Sequence, residues 1–245
     1  MAESQIQKFN HLKIHSQYSI CEGAIKIDDL KERSKGSKYK SLGICDTSNL
    51  CGALEFSEKI AKIGSQPIIG TQINFKFEGT VGLLPLFALN EIGYKKIIEL
   101  SSESYLNNDD LSDPHLEFDH FLKNDSTGIS IFSGTTSGLF GKLFDKGKFL
   151  EISSLYELTK KKFSDRFYLE IQRHGDQNEA SFEKFNLSQS NKLKIPIIAT
   201  NEVFYLDKDM HEAHDALICI GNKTYITEKN RTRYSPEHYL KNDNE

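Results

Sequence analysis

Polar and apolar residues alternate at the start of the chain, over residues 11–15 (HLKIH). A period of two places Leu12 and Ile14 on one face of a strand and His11, Lys13 and His15 on the other. The pattern therefore predicts a strand with one apolar and one polar face. Lys13 stands where a His-x-His pair would need its first imidazole, and a protonated lysine offers no lone pair to a metal ion. The strand poses the question whether this chain is a metalloenzyme or the remains of one.

Further apolar or alternating runs predict six more strands, at residues 41–45, 67–77, 82–89, 129–132, 167–172 and 195–200. Apolar positions at helical spacing, with capping residues at their ends, predict helices at 27–35, 50–61, 90–100, 155–162, 179–190 and 208–220. Strands that mostly alternate with helices predict an α/β domain with a parallel, barrel-like sheet. Pro85 argues against a central position for the strand at 82–89, because proline cannot donate to a ladder.

One acidic stretch interrupts this alternation, at residues 103–125. Charge runs are usually solvated faces, so we expect a surface excursion, and the alternative is a loop that binds cations. The segment from residue 221 is polar and carries a basic cluster, Lys223, Lys229, Arg231 and Arg233.

Composition narrows the class of protein. With 245 residues, 38% hydrophobic and 27% charged, the chain is long and apolar enough for one well-packed domain. A net charge of −4 gives no overall basic signal for nucleic-acid binding. There is no long apolar run and no signal-peptide pattern, so we expect a soluble, cytoplasmic protein without a membrane partner. The cysteines show no CxxC spacing, which favours reduced thiols, with Cys45 and Cys219 on apolar faces.

Polar side chains follow the predicted strands at the ends where barrel enzymes carry their working residues. They are His15, Asp46, Gln72, Thr135, His174 and Glu202. Ligands placed on rigid strand ends are typical of polynuclear metal sites, although a single histidine after a strand is more often a surface or hydrogen-bonded residue.

The strings around these positions carry a more specific signal. HLKIHSQYSICEG, ICDTSNLCGALEF, PIIGTQI, SGTTSG, FYLEIQRHG and IPIIATNEVFYL occur in the order and spacing of one known family. The chain resembles the N-terminal PHP (polymerase and histidinol phosphatase) domain of bacterial DNA polymerase III alpha subunits, from residue 9 to about 241. HEAHDALICI and RTRYSPEHYLK resemble the polymerase branch in particular. The resemblance implies a distorted seven-stranded (β/α)7 barrel of TIM-like type over residues 1–220. Residues 221–245 would then be a polar tail or linker toward the polymerase core.

Active relatives hold a cluster of two or three metal ions, and the resemblance implies which positions correspond to its ligands. Four positions keep a residue able to act as a ligand: His15, Asp46, His174 and Glu202. Six positions depart from the pattern: Lys13, Thr47, Gln72, Leu83, Thr135 and Phe204. Because several ligands are missing and one is replaced by an ammonium group, we expect no metal there and no catalytic residue. Lys13 would instead pair with Asp46 or Glu202.

The resemblance implies a structural and protein-interaction module in DNA replication, with no cofactor in this domain. Its partners would be the proofreading exonuclease (epsilon) subunit and the chain's own polymerase core, and DNA only through the holoenzyme. The parent chain would be a DNA-directed DNA polymerase, a nucleotidyltransferase that uses Mg²⁺ elsewhere. The alternative is a metal-dependent phosphoesterase or intrinsic 3′–5′ exonuclease that uses the remaining ligands with Zn²⁺ or Mn²⁺. An independent DNA-binding module lacks interleaved basic and aromatic residues outside residues 223–233.

Overall fold

The computed structural model describes residues 9–35, 39–108, 113–242 and 245. Within these residues the strands are β1 (Lys13–Ile14), β2 (Ser41–Thr47), β3 (Gln66–Phe77), β4 (Thr80–Ala88), β5 (Leu116–Glu117), β6 (Ile129–Phe132), β7 (Phe167–Ile171), β8 (Ile197–Ala199) and β9 (Glu202–Val203). The helices are α1 (Ile27–Ser34), α2 (Ala53–Lys62), α3 (Glu91–Leu106), α4 (Phe118–Lys123), α5 (Leu139–Asp145), α6 (Phe149–Phe163), α7 (Glu179–Leu193) and α8 (His211–Gly221). Short 3₁₀ turns precede β7 and α8.

All nine strands belong to one curled sheet, in the order β8-β7-β6-β4-β3-β2-β1-β9, with β5 beside β3. Each of the seven predicted strands has a counterpart, and β5 and β9 are additional short strands. Strands β8 and β9 lie at opposite ends of this order, although only Thr200 and Asn201 separate them in the chain. The fold is therefore an α/β fold whose curled sheet forms a half-barrel.

The sheet is mixed, so the prediction of a parallel sheet is wrong for β4. This strand runs antiparallel to both β3 and β6. The reason is the two-residue turn at Glu78 and Gly79, whose φ angles of 45° and 73° suit a tight hairpin. A hairpin this short can join only antiparallel strands, since a parallel neighbour needs a long crossover. Pro85 lies in this internal strand, ahead of the pairing with β6, which begins at Leu86.

Two apolar clusters hold helices against the sheet. The larger cluster joins β3, β4, β6 and β7 to the helices from α3 to α7, and the smaller joins β1 and β2 to α1 and α2. The expected surface excursion at 103–125 is wrong in part, because Phe118 and Phe121 of α4 are buried in the larger cluster. Residues 109–112 of that stretch lie outside the described residues. Helix α5 was not predicted, since it follows a glycine-spaced turn.

The cysteines match the expectation from spacing. Cys45 and Cys219 are buried, Cys51 is exposed, and all four cysteines are free thiols. Burial raises the pKa of the Cys45 thiol well above its usual range, which keeps it protonated and unreactive.

Candidate functional site

The polar face of β1 points into the protein. His11, Lys13 and His15 are each no more than 1% exposed, and β1 pairs with β2 on one side and β9 on the other. Lys13 lies directly across from Glu202 in the pairing of β1 with β9. The alternation read from the sequence therefore separates an apolar face from a polar one, and both faces are buried except at the half-buried Leu12.

Lys13 forms a buried ion-pair cluster with two glutamates. Its Nζ lies 3.0 Å from Oε1 of Glu202 and 3.3 Å from Oε1 of Glu170. Burial alone would lower the pKa of Lys13, but the two carboxylates outweigh burial and hold it above its ordinary value. Burial would likewise raise the pKa of Glu202, but the Lys13 charge and the His15 hydrogen bond hold it well below its usual range. The Lys13 ammonium thus balances the negative charge of two buried carboxylates.

Glu170 is a member of this cluster that the sequence analysis missed. Its Oε1 accepts hydrogen bonds from Gln172 Nε2 (3.0 Å) and from the Thr200 hydroxyl. Its other oxygen, Oε2, is buried without a hydrogen-bond partner among the described residues. The available signal was an acidic residue in the apolar run FYLEI, at a position inside a predicted strand.

His15 lies beside the same cluster. Its Nε2 is 3.2 Å from Oε1 of Glu202, and its Nδ1 is 3.9 Å from Oε2 of Glu22. Burial would lower the pKa of His15, but its hydrogen bond to Glu202 and the charges of both glutamates raise it above the ordinary value.

Asp46 has a different role from the predicted pairing with Lys13. Its carboxylate accepts hydrogen bonds from the Ser16 amide (2.6 Å), the Ser16 hydroxyl (2.7 Å) and the Ser19 hydroxyl (2.8 Å). These contacts hold the turn that follows β1, and among the described residues Lys13 forms its ion pairs with Glu170 and Glu202. Thr47, next in the chain, donates its hydroxyl to Glu22 and accepts a hydrogen bond from Gln72 Nε2 at 3.0 Å.

Phe204 fills the space beside His15 with an aromatic cluster. Its ring centroid lies 4.8 Å from that of His15 and 5.0 Å from that of Tyr234. It also stacks on His214 at 5.3 Å and on His238 at 5.2 Å. The ring packs where the resemblance would place an imidazole ligand.

Leu83 and Thr135 lie together around Gly138, apart from these contacts. Leu83 forms a bridge with Gly138, whose amide donates to the Thr135 carbonyl at 3.0 Å. The Thr135 hydroxyl lies 2.9 Å from the Ser137 hydroxyl. Neither side chain offers a strong metal ligand.

His174 follows β7 and stacks on His238, with ring centroids 3.9 Å apart and planes 9° apart. His238 comes from the segment that was predicted to be a polar tail, and the sequence analysis missed it. That segment packs on the sheet: the Phe204 amide donates to the His238 carbonyl (2.9 Å), and the Leu240 amide donates to the Tyr205 carbonyl (3.1 Å). The packed region therefore extends past residue 220.

Two arginines of the basic cluster form ion pairs within the chain. Arg231 forms a bidentate pair with the buried Asp215 of α8, and Arg233 pairs with Glu212. These contacts lay Thr232 and Tyr234 across the strand ends, where both line two cavities of about 220 and about 630 Å³.

The residues present do not fit the metal cluster that the resemblance implies. Lys13 brings a cation to that position, Phe204 brings a hydrocarbon ring, and the lone pairs of Asp46 accept hydrogen bonds from serines. A divalent cluster needs anionic and imidazole donors that are free to bind.

Replacing Lys13 with histidine should therefore not create a metal site at β1. Gln72, Leu83, Thr135 and Phe204 would still offer no strong ligand. Elemental analysis after dialysis against Mn²⁺ or Zn²⁺ should find the same metal content in Lys13→His as in the wild type. An additional bound ion in Lys13→His would contradict this account of the site.

The family model of the PHP domain matches residues 11–174. DNA polymerase III subunit alpha from Caulobacter vibrioides is 36% identical over 249 residues, which cover 98% of this chain and 22% of that protein. The subunit from Vibrio cholerae is 31% identical, and the match covers 97% of this chain and 21% of that protein. The chain thus spans about a fifth of the curated relatives that it matches.

A solved structure from Bifidobacterium adolescentis, of a protein described as a proposed metal-dependent phosphoesterase, shares the fold with a TM-score of 0.50 and 11% identity. The match covers 79% of this chain and 86% of that protein. In the described part of the chain, no helix is both long and apolar enough to cross a membrane.

Proposed function

Because the chain belongs to the PHP domain family and matches about a fifth of DNA polymerase III alpha subunits over nearly its whole length, we propose that it is a structural and interaction module of such a subunit in DNA replication. As a replication protein it would work in the cytoplasm. Polymerisation itself would belong to the remainder of such a subunit, which would use Mg²⁺ there.

One set of contacts supports the proposal, and it lies at positions where the resemblance would place metal ligands. Lys13 neutralises Glu170 and Glu202, and Phe204 packs against His15. A cation and a hydrocarbon ring offer no metal ligand in these places, which is the arrangement expected of a domain kept for its surface.

The fold that presents this surface is, in our proposal, a seven-stranded (β/α)7 barrel. Strands β8 and β9 pair with β7 and β1 respectively, and only two residues lie between them. Taken as one interrupted strand, they join both ends of the sheet and give seven principal strands, with β5 as an addition at β3. The irregular closure and the reversed β4 account for the distortion.

The partners we propose are the proofreading exonuclease (epsilon) subunit and the chain's own polymerase core, with DNA reached only through the holoenzyme. Arg231 and Arg233, which could otherwise contact phosphates, are paired with Asp215 and Glu212. This pairing argues against direct binding of DNA by that part of the basic cluster.

The protein should form a complex with the exonuclease subunit of the same organism. A specific interface of this kind buries about 1,200–2,000 Å² in total, and we place it outside the strand ends. His15→Gln, Asp46→Asn and His174→Gln therefore serve as matched controls, and each should bind as the wild type does. Calorimetry or co-elution measures the complex.

The competing function is a phosphoesterase or 3′–5′ exonuclease that uses His15, Asp46, His174 and Glu202 with Zn²⁺ or Mn²⁺. Its signature would be release of nucleotides from 3′ ends that EDTA abolishes and that the same three substitutions reduce. If no complex forms at tens of micromolar protein while such activity is measured, the interaction proposal is wrong and the competing enzymatic function is supported.

A further inference from the structure

His174, Asp176 and His238 form a second group of potential metal ligands. They come from the loop after β7 and from the C-terminal segment, and one ligand atom of each lies within 4.8 Å of the others. His174 and His238 are each no more than 3% exposed. Of the three, only His174 corresponds to a position of the family's metal pattern.

One nitrogen of each ring is engaged in hydrogen bonds with the protein. The Asn201 amide donates through Nδ2 to the Tyr239 carbonyl (2.9 Å), which leaves Oδ1 as an acceptor 3.0 Å from His174 Nε2. The Glu202 amide donates to the same nitrogen at 3.3 Å, so Nε2 is engaged by the protein on this side of the ring. His238 Nδ1 lies 3.1 Å from the Glu202 carbonyl, which can only accept.

The other nitrogen of each ring faces a carboxylate. His238 Nε2 lies 2.9 Å from Oδ2 of Asp176, and His174 Nδ1 lies 3.3 Å from Oε1 of Glu179. His174 Nδ1 is buried and has no hydrogen-bond partner among the described residues.

We propose that His174, Asp176 and His238 bind one divalent cation of the zinc type. Two imidazoles and one carboxylate are ligands that Zn²⁺ accepts, and a water molecule would complete the tetrahedron. Contacts with the Asn201 side chain and the Glu202 carbonyl orient the two rings, as hydrogen bonds to metal-binding histidines commonly do.

Binding would rearrange the cluster slightly. Bonds of about 2.1 Å place tetrahedral ligand atoms about 3.4 Å apart, so the two rings would tilt out of their stack as the three groups close on the ion. The ion would join the C-terminal segment to the loop after β7. It would be a structural site, distinct from the β1 position where Lys13 excludes a metal.

The test is titration of the metal-stripped whole protein with Zn²⁺ by calorimetry, and with Co²⁺ by visible absorption. We expect one ion per chain and a tetrahedral Co²⁺ spectrum. His238→Gln and Asp176→Asn should each weaken Zn²⁺ binding more than tenfold, since even a partner that only orients a ligand contributes 10–100-fold. His120→Gln, at an exposed histidine outside the cluster, and His15→Gln, at the β1 position, should both bind as the wild type does.

Thermal unfolding supplies a second measurement if a variant is poorly folded. Saturating Zn²⁺ should raise the melting midpoint of the wild type and of His120→Gln, because a ligand that binds only the folded state stabilises it. The increase should be absent in Asp176→Asn, which keeps the size of the side chain. The proposal is wrong if the folded wild type binds no Zn²⁺ at 100 times the protein concentration, if both cluster variants bind as tightly as the wild type, or if His15→Gln alone abolishes binding.

Discussion

Replacing Lys13 with methionine should lower the free energy of unfolding by about 3–5 kcal/mol, the usual cost of removing one partner from a buried ion pair. Methionine keeps the length of the side chain but leaves Glu170 and Glu202 without the ammonium that lies 3.3 and 3.0 Å from them. Urea unfolding at neutral pH, followed by circular dichroism, measures the change.

The pH dependence identifies the cause of this loss. Lys13 holds the pKa of Glu202 well below its usual range, so in the wild type the pair stabilises the fold above the unfolded-state pKa of a glutamate. That contribution is lost only as the pH falls through the lower, folded-state pKa. In Lys13→Met the carboxylate no longer has its cation, so the deficit relative to the wild type should shrink as acid protonates it. Lys95→Met, which breaks an exposed pair with Glu91, is the matched control and should change little. Equal stability of Lys13→Met and the wild type at pH 7 would show that the ion pairs contribute nothing.

Replacing Phe204 with alanine should cost about 3–5 kcal/mol, the range for a large aromatic side chain removed from a well-packed interior. The ring is 1% exposed and contacts His15, His214, Tyr234 and His238. Its loss would leave a cavity between β1 and the C-terminal segment. Urea unfolding again provides the measurement.

A matched substitution separates burial from residue type. Phe149→Ala removes the same atoms from a ring that is 47% exposed on α6, and it should cost clearly less. Similar losses in the two variants would mean that Phe204 does not hold the strand ends together. Phe204→Leu should recover part of the stability, because it refills most of the volume.

The sequence predicted the strands well because alternation and apolar runs report which residues are buried. It did not predict the direction of β4, since periodicity carries no information on direction. The signal lay instead in the turn residues Glu78 and Gly79, which join β3 and β4 too closely for a parallel pair. Helix α4 was missed because the acidic residues around it hid the apolar spacing of Phe118 and Phe121.

The candidate site was predicted in part. The pairing of Lys13 with Glu202 was expected, whereas Glu170 and His238 were not, because each reaches the site only through contacts between distant parts of the chain. Asp46 shows the converse limit. Its position after a strand suggested a ligand, but its oxygens accept from Ser16 and Ser19, serines that the sequence places 27 to 30 residues away.

The pairing of β1 with β9 has a consequence for synthesis of the protein on the ribosome. Strand β1 is made first, but β9, its second neighbour in the sheet, is complete only when residue 203 has been added. Until then β1 remains an open edge, a surface that pairs readily with other chains, and Lys13 has neither glutamate partner until Glu170 emerges. Contacts between such distant residues also form slowly. The interval between translation of β1 and translation of β9 is therefore the period in which the nascent domain is most exposed to aggregation.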